Sequence, residues 1–387
     1  MTTKRKRKIK NKTRKKSNNN KAPTISSDFD SGSIKILSIK NSNINTSFHI
    51  SLQKEIIREG NKSQYWFYFK VSNVQERNCF FSLKTHIDCN NGFKHLGVAT
   101  SYDNKKWFLT STTQKNKRNT TCKIGTKKYI NTKPTQEVNW KIKPTKNNVW
   151  FAYYVPYPLE RIYKLGNLMS KKSFIKQKTI GYSHGNRPIK MLTIGNGCRN
   201  IWLICRQHPG ESIASWILEG FLKSIFSPLP NLKIHIIMTL NPDGIFLGNW
   251  YVNKNGSNLN LDWKSKKSKE VKCLAKLLDK QYNDLIIDIH GDEECKQHFI
   301  SHCPTKNIDL YNRVNELLNK NNTHFQKIDH YKKLNFPCDG KTLDFHKNAL
   351  TLEGCMKYKS SNSTSLQKEG LEVGVTLLKV IHSLFKK

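Results

Sequence analysis

The chain is 387 residues long, 36% hydrophobic and 25% charged, and its 67 Lys and Arg against 28 Asp and Glu leave a formal net charge of +39. That length can bury a sizeable core, no apolar run reaches the length of a membrane span, and no secretory apolar region opens the chain. The expectation is therefore a protein of the cytoplasm, or of the nucleus if the basic start is a localisation patch, whose ten cysteines, without a CxxC pair and with Cys79 and Cys205 in apolar runs, are reduced core thiols and not a disulfide framework.

Residues 1–27 read as a disordered basic tail, because residues 1–23 hold eleven Lys and Arg, no acid and almost nothing apolar to bury. The tail accounts for 11 of the +39 and leaves +28 on the rest of the chain, so the basic character is global. Such a surface attracts polyanions, whether nucleic acid, acidic membrane or acidic polypeptide. The tail would supply nonspecific nucleic-acid contacts to phosphates, although no helix-turn-helix, zinc finger or RNP-like pattern accompanies it.

Residues 28–156 read as an all-β sandwich domain. The runs SIKILSI, YWFYFKVSNV, CFFSLKTHI, GVATSYD and VWFAYYVPY are rich in β-branched and aromatic residues and are separated by polar loops. Nothing there has metal-ligand spacing, and Trp66, Trp107 and Trp150 are expected in its core.

Residues 157–387 change pattern. After PYPLERIYKLGNLMSKKS, a linker and short helix, the strands IKMLTIG, NIWLICRQ, KIHIIMTL, LIIDIH and ALTLEG alternate with helices after Glu211, around 268–281, around 307–319 and from about 366. Alternation with apolar strands predicts an α/β unit, a mostly parallel or mixed sheet flanked by helices on both faces. Its strand ends carry the chemistry. His208 and Glu211 in RQHPGE stand three apart where a strand gives way to a helix, and His290 closes the run LIIDIH. Two His and one Glu form a catalytic zinc set with an open fourth position, and strand ends are where open α/β sheets gather their sites. One Zn2+ per chain is expected.

A hydrolytic zinc site also needs a carboxylate to move the water proton. Glu353, at the end of ALTLEG, is the candidate general base, with Asp292, Glu293 and Glu294 as rivals directly after the third ligand. The histidines outside these motifs, including His298, His302, His324, His330 and His346, are expected to face solvent or to support the ligands.

Taken in order, RQHPGES, NPDGIFLGNW, NLNLDW, DIHGDEE and ALTLEG resemble the M14-type zinc carboxypeptidases, specifically the cytosolic carboxypeptidase subfamily, and FDSGSIKIL, WFYFKVSNV, SYDNKKWF and VWFAYYVPYPLER resemble the β-sandwich that precedes the catalytic domain there. The resemblance implies a carboxypeptidase-like sheet behind that sandwich, zinc held by His208, Glu211 and His290, Glu353 as general base, and trimming of glutamate from acidic protein or peptide C-termini. Two positions depart from the family. Where it carries an arginine beyond GN this chain has Tyr251, and in the Asn-Arg pair that grips the terminal carboxylate Asn260 is kept but the arginine is Leu261. Both changes remove a cationic donor suited to a carboxylate or an oxyanion. Three readings therefore stand open: a carboxypeptidase in which Lys254, Lys264 or Arg206 replaces the lost charge, a zinc hydrolase of altered specificity, and a non-catalytic protein that binds acidic tails or nucleic acid. Tyr251 and Asn260 are the expected substrate-binding residues, and Tyr331 is a candidate general acid by its distance before Glu353.

Overall fold

The computed structural model describes residues 21–58, 64–88, 92–93, 97–116, 120–124, 127–131, 135–303, 307–322, 324–325, 343, 346–356 and 364–386. Strands β1 (Thr24–Ser26), β2 (Lys35–Asn41), β3 (Asn45–Ser51), β4 (Tyr68–Ser72), β5 (Asn78–Asp88), β6 (Val98–Ser101), β7 (Trp107–Thr110), β8 (Thr113–Asn116), β9 (Thr120–Ile124), β10 (Lys127–Asn131), β11 (Thr135–Ile142) and β12 (Asn148–Ala152) come first. They form five-stranded sheets ordered β1-β4-β12-β6-β7 and β2-β3-β5-β11-β8, with β9 and β10 paired as a separate hairpin. The alternation in NTSFHIS turns Thr46, Phe48 and Ile50 inward. Register then lines Phe48 up with Phe81 and Phe81 with Trp140 on neighbouring strands. Their rings stack at 4.8 and 4.9 Å, and Phe151 of the facing sheet closes on Phe81 at 4.7 Å. Each such pair contributes about 0.5–1.5 kcal/mol beyond its buried area. Trp66 and Trp107 are buried as expected, whereas Trp150 is half-buried beneath Lys70.

The second unit runs α1 (Leu159–Met169), β13 (Ile175–Tyr182), β14 (Pro188–Ile194), β15 (Arg199–Cys205), α2 (Ile213–Lys223), β16 (Leu232–Ile237), α3 (Pro242–Leu247), a 3-10 turn (Leu259–Leu261), α4 (Lys269–Leu278), β17 (Leu285–Asp292), β18 (Phe299–Ser301), α5 (Ile308–Asn321), β19 (Ala349–Cys355) and α6 (Thr364–Phe385). Its seven strands lie in the order β13-β14-β16-β15-β17-β19-β18. The four central strands pair in parallel and the edges are antiparallel, which makes the sheet mixed. Ile201, Leu203, Ile287 and Ile289 join the core that includes α2 and α6, while Trp202, Ile204 and Ile286 join α4 on the opposite face. Strands covered on both faces read as continuous apolar runs, which is why β15 and β17 were legible in the sequence. Strand β13 (IKQKTIGY) and the three-residue β18 were not among the expected strands: the first is a mostly exposed edge and the second is too short for a periodic signal. No helix among the described residues is long and apolar enough to cross a membrane. Six described cysteines, Cys79 and Cys205 among them, are free thiols. Cys303 corrects the cysteine reading, because it is disulfide-bonded.

Candidate active site

The residues after β15 leave the sheet through Arg206, a non-glycine residue in the left-handed region at φ 58°. Such a backbone costs of order 1–3 kcal/mol and persists where its surroundings over-determine it. Here they do so through the side chain. The Arg206 guanidinium is 2% exposed and donates to Ser215 Oγ at 2.9 Å, to the Tyr157 carbonyl at 3.5 Å and to the Pro209 carbonyl. It is an internal brace of the HPGE turn. It therefore cannot serve as the replacement cation expected for it, while Lys254 and Lys264 are exposed.

That turn presents His208 and Glu211, and the end of β17 presents His290. Glu211 faces both imidazoles: Oε1 lies 2.7 Å from His208 Nδ1, and Oε2 lies 3.0 Å from His290 Nδ1 while accepting the Gly291 N–H at 3.0 Å. One ligand atom from each of the three residues falls within 4.8 Å of the others. Gly291 makes the approach possible, since a Cβ there would lie 2.5 Å from Ile213 at the start of α2. Burial opposes the charge of Glu211, but His208 and His290 hold its carboxyl down to about 2. Burial likewise disfavours a charged His290, yet Asp288 and Glu211 on either side push it well above the ordinary imidazole range. The electrostatic demand at the centre is for positive charge.

Each imidazole lies between two acceptors. His208 has Glu211 on Nδ1 at 2.7 Å and, on Nε2 at 3.1 Å, Asn258 Oδ1, which also accepts the Asn260 N–H at 3.0 Å. His290 has Glu211 on Nδ1 at 3.0 Å and Asp288 Oδ2 on Nε2 at 2.9 Å. A neutral ring carries one N–H, so one contact of each ring sets a lone pair against an acceptor. Acceptors cannot satisfy one another, and a cation at their common centre removes the conflict. Two imidazole nitrogens with a carboxylate suit Zn2+, and partners on the far ring nitrogens are the usual means of orienting such ligands. The residues present fit the metal.

Glu353 stands beside this centre. In the parallel ladder of β17 and β19 it is paired with His290, so both side chains project from the same face. It is 8% exposed, and burial pushes its carboxyl well above the usual range against the pull of His290. The rivals have other surroundings. Asp292 Oδ1 accepts the N–H groups of Glu294 and Cys295 at 2.5 and 2.6 Å and so caps the turn after β17, and Glu294 is exposed. Glu293 is buried, and burial with Asp292 beside it raises its carboxyl well above the usual range.

The opposite wall is the loop after α3. Tyr251 sets its ring edge-on to His208 at 4.9 Å, and burial, with Glu293 next to it, keeps the phenol protonated. Asn260 Oδ1 lies 3.4 Å from Gln207 Nε2, and Leu261 ends the 3-10 turn. Sequence reasoning missed three supports. Gln207 donates to Asp288 and accepts from Trp263 Nε1 at 2.8 Å. Asp288 carried a signal, being an acid two residues before His290 and hence on the same strand face. Asn258 carried only its place in the loop. His298 and His302 are buried, which removes the solvent-facing alternative for them. His298 bonds Glu369 at 3.0 Å and accepts the Cys355 N–H at 2.9 Å, and His302 stacks on Tyr311 at 4.0 Å. Tyr331 and His330 lie outside the described residues.

Residues 164–357 match the zinc carboxypeptidase family, and residues 25–154 match the cytosolic carboxypeptidase N-terminal domain. The chain belongs to the zinc carboxypeptidase family. This carboxypeptidase is 30% identical over 292 residues to an uncharacterized protein of Zymomonas mobilis, covering 72% of this chain and 70% of the other. It is 26% identical over 301 residues to human cytosolic carboxypeptidase 2, covering 67% of this chain but only 32% of that protein, so it spans about a third of the length of that relative. The fold is that of a metallo-carboxypeptidase from Burkholderia cenocepacia, with a TM-score of 0.79, 22% identity and coverage of 94% of this chain and 98% of that one. The family places the chain among the metal-dependent hydrolases.

Proposed function

We propose that this metallocarboxypeptidase removes C-terminal residues from peptides or proteins, glutamate from acidic tails foremost, with one Zn2+ per chain held by His208, Glu211 and His290. The observation that carries the reading is the convergence of these three donors with Glu353 paired beside His290. When bound, the metal supplies Lewis-acid polarisation of the scissile carbonyl and a more acidic water. Glu353 accepts the proton of the attacking water as the new C–O bond forms, then delivers it to the leaving nitrogen as the C–N bond breaks. Tyr251 and Asn260 line the opposite wall, where they can donate to the substrate from a phenol and an amide. The acidic preference is supported by the net charge of +39, which draws anionic chains to the surface. Action in the cytoplasm, and auxiliary nucleic-acid contacts through the basic tail, complete the proposal.

Tyr251 and Leu261 favour a second reading, a hydrolase whose leaving group carries no free carboxylate, because neither offers the cationic fork that binds one best. The test is hydrolysis of a peptide ending in several glutamates by wild type and Glu353→Gln, each with its zinc content measured. Stepwise loss of terminal residues by wild type alone supports the first reading. No cleavage by a protein holding one equivalent of zinc transfers the argument to the second, or to a protein that only binds acidic tails.

A further inference from the structure

The sandwich sends one carboxylate into the catalytic unit. Glu55, just beyond β3, lies against the loop after α3, where its Oε1 accepts the Trp250 N–H at 2.5 Å and its Oε2 accepts the Tyr251 N–H at 3.2 Å. Gln64 holds the Glu55 backbone reciprocally, accepting its N–H at 3.1 Å and donating to its carbonyl at 3.4 Å. Three residues on, the Arg58 N–H donates to the Gly256 carbonyl at 3.0 Å and its guanidinium to Asn255 Oδ1 at 2.9 Å. A strap of the first domain thus runs along the loop that carries Tyr251, Asn258 and Asn260.

The contacts continue to the metal ligands along two routes. Trp250 is fully buried between Tyr65 and Tyr153 of the sandwich, edge-on at 5.3 Å to each. Its carbonyl accepts the N–H of Gly210, which stands between His208 and Glu211, at 3.0 Å. Its ring fills the space where a Gly210 Cβ would sit, only 2.1 Å from that position. The same loop delivers Asn258 to His208 Nε2 at 3.1 Å. Glu55 is therefore two hydrogen bonds from the ligand turn.

We propose that Glu55 is a positioning residue for the metal centre, so that the zinc affinity of the catalytic unit depends on a carboxylate supplied by the sandwich domain. This rests on the zinc reading above. A carboxyl group fits because its two oxygens each accept one amide N–H here, whereas a glutamine offers one oxygen and places an N–H against the other donor. Supports of ligand orientation typically contribute 10- to 100-fold in metal affinity.

The test measures the zinc dissociation constant of the full chain by competition with a chromophoric chelator, for wild type, Glu55→Gln, Glu55→Asp and Val71→Ala. The last removes buried bulk from the sandwich core in β4, opposite Ile25 and Val149 and not among the strap contacts, and thermal unfolding reports the stability of each variant. The expected result is zinc binding about 10- to 100-fold weaker in Glu55→Gln, a smaller loss in Glu55→Asp, which keeps both oxygens, and unchanged affinity in Val71→Ala despite its lower stability. Should Glu55→Gln fail to fold, Arg58→Ala loosens the same strap through Asn255 and is expected to weaken zinc in the same direction. Equal affinity in wild type and the strap variants overturns the proposal, as does a loss in Val71→Ala matching theirs. A wild type that takes up no zinc overturns the metal reading itself, and this inference with it.

Discussion

On one wall of the crevice His290 and Glu353 stand paired in a parallel ladder, whereas on the other Tyr251, Asn258 and Asn260 ride on a loop whose amides are taken by a carboxylate from another domain. The first wall inherits its geometry from backbone hydrogen bonds that every strand makes. The second has no ladder, and its shape depends on side chains that must arrive from elsewhere. His290 and the base sit on the first wall, the turn with His208 and Glu211 lies between the two and bonds to the Trp250 carbonyl, and the departures from the family pattern, Tyr251 and Leu261, sit on the second. Strand ends constrain what they carry, while a loop held from outside can change its substrate contacts without disturbing the sheet.

Breaking the ladder wall should have the largest effect. Glu353→Gln is expected to lower kcat by about 100- to 10,000-fold, the range of general acid–base catalysis, with zinc content retained in elemental analysis. Loss of zinc along with activity would move Glu353 from base to structural support. Next comes Asp288→Asn, which keeps an acceptor for His290 Nε2 but removes its charge. A zinc affinity weakened by about tenfold, the low end for such partners, is expected in a chelator competition, and no change would show that the imidazole needs only a neutral acceptor.

The seam between the walls is broken by Gly210→Ala, whose Cβ would meet the Trp250 ring at 2.1 Å. Overpacking of this kind costs about 1–3 kcal/mol, to be read as a fall in urea midpoint at constant slope. A pH dependence sharpens the comparison from the loop side. Burial raises Glu55 from its ordinary 4.5 to about 7, although the amides of Trp250, Tyr251 and Val252 oppose the shift. A carboxyl raised in the fold keeps a proton that the unfolded chain has already released. Through this group, stability is therefore expected to decline as pH rises from about 4.5 to about 7. Unfolding free energies of wild type and Glu55→Gln across that window test this: the wild-type value minus the variant value should fall as pH rises, and parallel curves or a rise would refute it.

Much of the metal centre was legible because its information is short-range. His208 and Glu211 are three residues apart across a strand end and a helix start, and a strand closing on His290 announces itself as an unbroken apolar run. Asp288 was legible in principle by period-two alternation but was hidden inside that run. Arg206 stood among three candidates for the replacement cation, because nothing in RQHPGE shows that its guanidinium turns inward to brace Pro209 and Ser215. The burial of His298 and His302 was not legible for a similar reason, since the short β18 between them gives no periodic signal and their burial is imposed by elements distant in the chain.

The sequence by itself determined the alternation of strands and helices, the all-β character of the front half, the donor spacing of HPGE and the identity of every group able to bind metal or move a proton. These follow from local backbone preference and side-chain chemistry, which neighbours in the chain decide. Only the tertiary structure decided that β17 and β19 lie side by side in a register pairing His290 with Glu353, and that Glu55 reaches Trp250, 195 residues away. Pairing register and domain docking are set by burying many side chains at once, and no short window of sequence contains that sum.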